Sequence, residues 1–134
     1  MIKEKYEKLK SENVDSLILI KSGNFYVTFN DDAQIMNLLF KYKIVKNRVG
    51  FPLNIIDKII VDLKIGELNY IIFNSEDDIK TKKFKKNAYN EVLRESKKVD
   101  YRNSRKKLLF DRIEFLIDTD SKNYEKISTF IDKL

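Results

Sequence analysis

The 134-residue chain contains no cysteine and no histidine, and only three glycines and one proline. Without cysteine there is no disulfide, no thiol nucleophile and no thiolate metal site. Without histidine, the commonest metal ligand and general base of neutral pH is missing. A metal would have to be held by carboxylate and carbonyl oxygens alone. No apolar run approaches the roughly 20 residues of a membrane span, and the opening MIKEKYEKLKSENVD has no apolar stretch for a signal peptide. These absences lead us to expect a protein of a reducing cytoplasm, with no cofactor and no membrane partner. The length suits one domain, or one domain with a small extension, and is enough to bury a core unaided.

The charge is unevenly placed. The formal net charge is +6, yet residues 79–112 alone hold thirteen Lys or Arg and four Asp or Glu. Such asymmetry points to an anionic partner: nucleic acid, an acidic protein or a membrane surface. Twenty-two of the twenty-seven basic residues are lysine, however, and lysine is also the ordinary solvated face of a helix. Charge alone leaves both readings open.

Tyr6, Leu9 and Ile2 sit at helical spacing in a charged segment and predict a short first helix. DSLILIK, from Asp15 to Lys21, reads as a strand buried on both faces. Ser22-Gly23-Asn24 is a turn, and Phe25 to Phe29 its antiparallel partner strand. Asn30, Asp31 and Asp32 suit a helix start, where a cap and negative charge are favourable. Ile35, Met36, Leu39 and Phe40 form that helix's apolar face. Short extended pieces follow at Ile44-Val45 and from Arg48 to Phe51. Pro52 opens a second helix with Leu53, Ile56, Ile59, Ile60 and Leu63 as its stripe, and Gly66 stops it. LNYIIF, from Leu68 to Phe73, is a further interior strand. From Ser75 the composition turns acidic, then basic, without Gly or Pro. Phe84, Ala88, Tyr89, Val92 and Leu93 predict one helix; Leu109, Ile113, Leu116 and Ile117 predict the next. A last one is capped by Ser121 with Glu125.

KYEKLK, then VDSLILIKSGNFYVTFNDDA, then VGFPLNIIDKIIVDL, agree in order, spacing and turn residues with one family. The stretch from about Lys5 to Phe73 resembles the N-terminal domain of the MutS mismatch-repair proteins. That domain typically reads Tyr-x-x-Leu-Lys, an apolar strand, Gly-Asp-Phe-Tyr-Glu-x-Phe-x-x-Asp-Ala, and Gly-x-Pro-x-His before a helix. The resemblance implies an approach to DNA by the minor groove, with a Phe stacked on the mispaired base and a Glu two residues later bonded to it. The matching positions here are Phe25 and Val27, so the Phe is kept and the Glu is not. Asn24 replaces the usual acid, and Asn54 stands in place of His. None of the three glycines belongs to a Gly-x-x-x-x-Gly-Lys-Ser/Thr phosphate loop. Residues from Ser75 onward resemble no family we can name.

Alternation puts Phe25, Val27 and Phe29 on one face of their strand, which is what a buried sheet surface looks like. As the first strand residue beside a turn, Phe25 is also placed to project past the sheet edge as a wedge. On a helix, Lys82, Lys83 and Lys86 of KTKKFKK lie close together, with Phe84 turned inward. Arg105, Lys106 and Lys107 begin the next helix, where positive charge works against the macrodipole unless an anion sits nearby. The clustered acids Asp31-Asp32 and Glu76-Asp77-Asp78 are accounted for by helix starts, and no metal is expected there. Apart from Ser–Lys pairs, no nucleophile–base set can be assembled without His or Cys.

The expected fold is α/β (α+β): a mixed sheet with an N-terminal antiparallel hairpin, flanking helices and a C-terminal helical extension. Residues 1–74 form the α/β part, and 75–134 a basic helical extension packed on it as one unit. The expected function is a non-catalytic nucleic-acid-binding module. DNA is its partner, Phe25 the base contact, and Lys82, Lys83, Lys86, Arg105, Lys106 and Lys107 the phosphate contacts. The alternative is a protein–protein adaptor on the same platform, with no DNA contact.

Overall fold

The computed structural model describes the backbone of residues 1–134 and all side chains except those of 100 and 101. Helix α1 (Ile2–Glu12) leads into a hairpin of β1 (Leu17–Ser22) and β2 (Phe25–Phe29). There follow α2 (Asn30–Phe40), β3 (Arg48–Pro52), a 3-10 turn at Leu53–Ile55, and α3 (Ile56–Ile65). Strands β4 (Tyr70–Ser75) and β5 (Asp78–Lys82) complete one five-stranded sheet, and α4 (Tyr89–Thr119) and α5 (Lys122–Asp132) end the chain. The strand order is β3-β2-β1-β4-β5, with β1 and β4 parallel and the other neighbours antiparallel. The fold is thus the expected α+β one, with its mixed sheet, N-terminal hairpin and helical C-terminus.

Two layers of apolar side chains cover the sheet. Leu17, Leu19, Tyr26, Val49, Phe51, Tyr70 and Ile72 point to the face that holds Ile35, Met36, Ile59 and Leu63. Ile18, Ile20, Val27, Phe29 and Ile71 point to the other, beneath Tyr6, Ile2 and Leu9 of α1. The alternation of β1 explains the unbroken apolar run of its sequence: both faces are covered. Each fully buried side chain of this size contributes about 1.5–3 kcal/mol.

The chain divides into two compact units, 1–97 and 98–134. The first is longer than the 74 residues expected, because β5 pairs with β4 and the first turns of α4 place Tyr89, Val92 and Leu93 on the core. Residues 78–82 are a strand, which corrects the helix expected over KTKKFKK. Edge pairing with β4 supplies the backbone bonds that helical propensity would otherwise have claimed, and all five residues are exposed. The two helices expected between Phe84 and Ile117 are one helix from Tyr89, since neither Gly nor Pro interrupts it.

Asp32 is the polar centre of the first unit. It is fully buried, and its Oδ2 accepts bonds from the Tyr6 hydroxyl (2.8 Å) and the Ile18 N–H (3.2 Å). Its Oδ1 accepts from Lys10 Nζ (2.8 Å) and from the Tyr89 hydroxyl (2.6 Å). Lys10 also donates to the Ser16 carbonyl and the Tyr89 oxygen. One carboxylate therefore ties α1, β1 and α4 to α2. This differs from the capping role expected of Asn30-Asp31-Asp32: the N-cap is Phe29, and no side chain caps the helix.

Burial pushes the Asp32 carboxyl above the usual carboxylate range, against the opposing pull of Lys10 and the two phenols. Burial, reinforced by the Asp32 charge, also holds the Tyr6 and Tyr89 phenols well above their ordinary value. Burial raises Tyr26, Tyr42 and Tyr70 as well, so the folded state keeps these phenol protons, those of Tyr6 and Tyr89 most firmly, where the unfolded chain releases them above about pH 10. Their stabilisation is fully present below that pH and is lost as pH rises through it, at about 1.4 kcal/mol per unit for each phenol. Urea melts between about pH 8 and 11 should fall steeply only above about pH 10, and Tyr89→Phe should make that fall shallower. An unchanged slope in the variant would refute the assignment.

Candidate nucleic-acid interface

The β1–β2 turn is built from Ser22 to Phe25, which pair with each other across it. Gly23 has φ +61, a left-handed conformation that a side chain at this position would strain. The far side of the turn is held by Leu53, whose N–H donates to the Asn24 carbonyl at 3.1 Å. Phe25 pairs with Pro52 at the end of β3.

The three residues of the Phe-x-Val-x-Phe face have different fates. Val27 is 1% exposed and Phe29 7%, both beneath α1, whereas Phe25 is 50% exposed. Phe29 packs against Tyr6, ring centroids 5.2 Å apart. Tyr26 points to the other face, packs on Phe51 at 5.8 Å and donates its hydroxyl to Asn74 Oδ1. Of these two adjacent aromatics, Tyr26 is core, and Phe25 stands half in solvent at the sheet's end.

The basic residues are distributed differently from the expected cluster. Lys82 ends β5, and Lys83 and Lys86 lie in the connection to α4, so they share no helix face. Lys82 pairs with Tyr70, which is level with Leu17 at the start of β1, whereas Phe25 is level with Ser22 at its end. Strand rise and spacing put Phe25 and Lys82 roughly 20 Å apart, at opposite ends of the sheet. Lys83 has an inward role: its ammonium donates to Ser16 Oγ (2.9 Å) and Asn13 Oδ1 (3.2 Å). Asn69 and Asn87 hold the same connection, through Phe84 N–H to Asn69 Oδ1 and Asn69 N–H to Asn87 Oδ1. Asn87 Oδ1 also takes the Tyr89 N–H at 3.1 Å and so caps the start of α4. Lys82 sits 5.6 Å from the Phe84 ring centroid and, like Lys86, is exposed.

Arg105, Lys106 and Lys107 are exposed but lie mid-way along α4, in the second unit. They do not begin a helix, so no helix N-terminus opposes their charge. At the Phe25 end of the sheet the neighbouring turn is acidic, because β1 and β4 are parallel and β4 leads into Glu76-Asp77. Lys5 partly offsets it, 2.7 Å from Glu76 and 5.0 Å from the Phe73 ring. The Lys5 contact lowers the Glu76 carboxyl below its ordinary range. Sequence reasoning missed Lys5, whose only signal was its place one residue before Tyr6.

The MutS domain I family model matches residues 1–64, from the start of α1 to the last turn of α3. No curated protein matches the chain.

Proposed function

Taking residues 1–64 as a MutS-like mismatch-recognition domain, we propose that this protein is a non-catalytic nucleic-acid-binding module that meets DNA at the β1–β2 turn. The half-exposed ring of Phe25, at the position that the sequence resemblance matches to the family's base-stacking Phe, is the observation that carries the reading. Phe25 is the base contact. Lys82, Lys86, Arg105, Lys106 and Lys107 are sequence-independent phosphate contacts, and Lys83 adds charge while holding the loop. A separation of roughly 20 Å between Phe25 and Lys82 is spanned by about six base pairs. A DNA longer than that can touch both ends of the sheet.

The module binds weakly and discriminates little. Inserting an aromatic wedge costs a few kcal/mol of base stacking, and stacking on the ring returns about 1–3 kcal/mol. The family's Glu position is Val27, which offers no hydrogen bond and lies sealed under α1. Titration of a labelled duplex at about 50 and 200 mM salt should give a log–log slope near −0.9 for each phosphate contact. Mismatched and perfect duplexes should bind within about threefold of each other, because the phosphate term carries no sequence information. No binding at micromolar protein and low salt would remove the reading.

The acidic Glu76-Asp77 turn near Phe25 favours a second reading, a protein–protein adaptor whose exposed Phe25 meets a partner chain. Co-purification of a partner that survives nuclease treatment would distinguish it.

A further inference from the structure

Phe25 shares its face of the sheet with Lys5. Alternation along β2 puts Phe25 with Val27 and Phe29, on the face that α1 covers. Helix α1 crosses that face lengthwise. Lys10 reaches Ser16, ahead of β1, whereas Lys5, nearer the N-terminus, reaches the β4–β5 turn at the Phe25 end. There its ammonium lies 5.0 Å from the centroid of Phe73, whose side chain packs on the same face. Phe73 is level with Ile20, and Phe25 with Ser22. Two strand spacings and two residues of rise put Phe73 and Phe25 roughly 12 Å apart. Between them on β1 stands Ser22, directly opposite Phe25, with a small side chain.

Lys5 already holds an anion. Its Nζ donates to Glu76 Oε1 at 2.7 Å, and the Lys5 side chain is 28% exposed against 74% for Glu76. The ring of Phe73 orders the ammonium, while the carboxylate comes from a solvated turn. Lys8, one turn along α1, adds its charge to the pull of Lys5 on that carboxyl. The ammonium is thus the fixed partner and the carboxylate the exchangeable one. An exposed ion pair of this kind stabilises a fold very little, because water and salt compete for both charges. A phosphate diester presents the same charge and the same kind of acceptor oxygen.

We propose that Glu76 stands in the place of a DNA phosphate on Lys5. When a base stacks on Phe25, the strand that carries it runs over Ser22 and exchanges Glu76 for one of its own phosphates. The inference rests on the DNA reading of Phe25. The spacing suits it, since roughly 12 Å is about three to four steps of one strand at about 3.4 Å per step. The acidic turn is then an internal competitor. Because it is tethered, it acts at the high effective concentration of a linked group. It lowers the affinity of this end of the sheet for every external anion, and its removal unmasks Lys5.

Titration of a labelled duplex with the full chain and its variants tests the exchange. Glu76→Gln removes the competing charge and keeps the side chain's shape. Binding at about 50 mM salt should tighten about tenfold. In that variant Lys5 is a full phosphate contact. Adding Lys5→Gln should therefore undo the gain and make the log–log salt slope shallower by about 0.9. Asp77→Asn makes the same change of net charge one residue away and should tighten binding by less than about threefold. Circular dichroism should show every variant folded, since neither Lys5 nor Glu76 is buried. Three results would overturn the inference and leave DNA binding in place: no gain from Glu76→Gln, a gain that survives Lys5→Gln, or an equal gain from Asp77→Asn. No binding by any of the chains would remove the DNA reading of Phe25, and the exchange with it.

Discussion

Replacing Asp32 by alanine is expected to lower the stability of the first unit by about 3–5 kcal/mol, a large part of the 5–15 kcal/mol of a typical domain. The reason is what remains behind. Lys10, whose side chain is 18% exposed, loses its partner, and two phenols and the Ile18 N–H lose an acceptor. A capping aspartate would behave differently, because its loss costs about 1 kcal/mol. Asp32→Asn keeps the shape and one acceptor oxygen but still strands the ammonium. Adding Lys10→Met to it should recover part of the loss, since removing both charges relieves the burial that each alone makes costly. Denaturant melts followed by circular dichroism measure the set. A loss below about 1.5 kcal/mol for Asp32→Ala would return this residue to an ordinary helix start.

Phe25→Ala and Phe29→Ala should separate binding from folding. The two rings share one face of β2, but Phe25 is half exposed and Phe29 is not. Truncating Phe29 opens a cavity against Tyr6 and should cost about 3–5 kcal/mol of stability. Truncating Phe25 removes little buried area, so stability should change by less than about 1 kcal/mol. DNA affinity should nevertheless fall by about 1–3 kcal/mol, the worth of one stacked base. This corresponds to roughly 5–150-fold in dissociation constant. Equal binding by wild type and Phe25→Ala would take away the base contact while leaving the fold untouched.

The elements carried by local pattern are legible in the sequence alone. β1 shows as an apolar run, the hairpin as Gly-Asn between strands, and α3 as a stripe behind Pro52. Gly23 has the positive φ its turn requires, and Pro52 precedes the 3-10 turn that feeds α3. The helix stops at Gly66 as its sequence predicts, although the left-handed residue there is Glu67, φ +53, not the glycine. What stayed hidden is nonlocal. DIKTK carries no alternation that marks a strand; it becomes one because β4 offers an open edge. The Asp32 bonds join residues up to 57 positions apart, a separation that no spacing rule spans.

By itself, then, the sequence determined the order of strands and helices through Tyr70, the hairpin that carries Phe25 and the excess of cations after Ile79. These follow from side-chain period and turn chemistry, which act over a few residues. The tertiary structure decided that Phe25 is exposed while Val27 is sealed, that Lys82 stands at the far end of the sheet from it, and that Asp32 is a buried hub. Those outcomes depend on which surfaces α1 covers and how β4 and β5 extend the sheet, and packing between distant segments sets both.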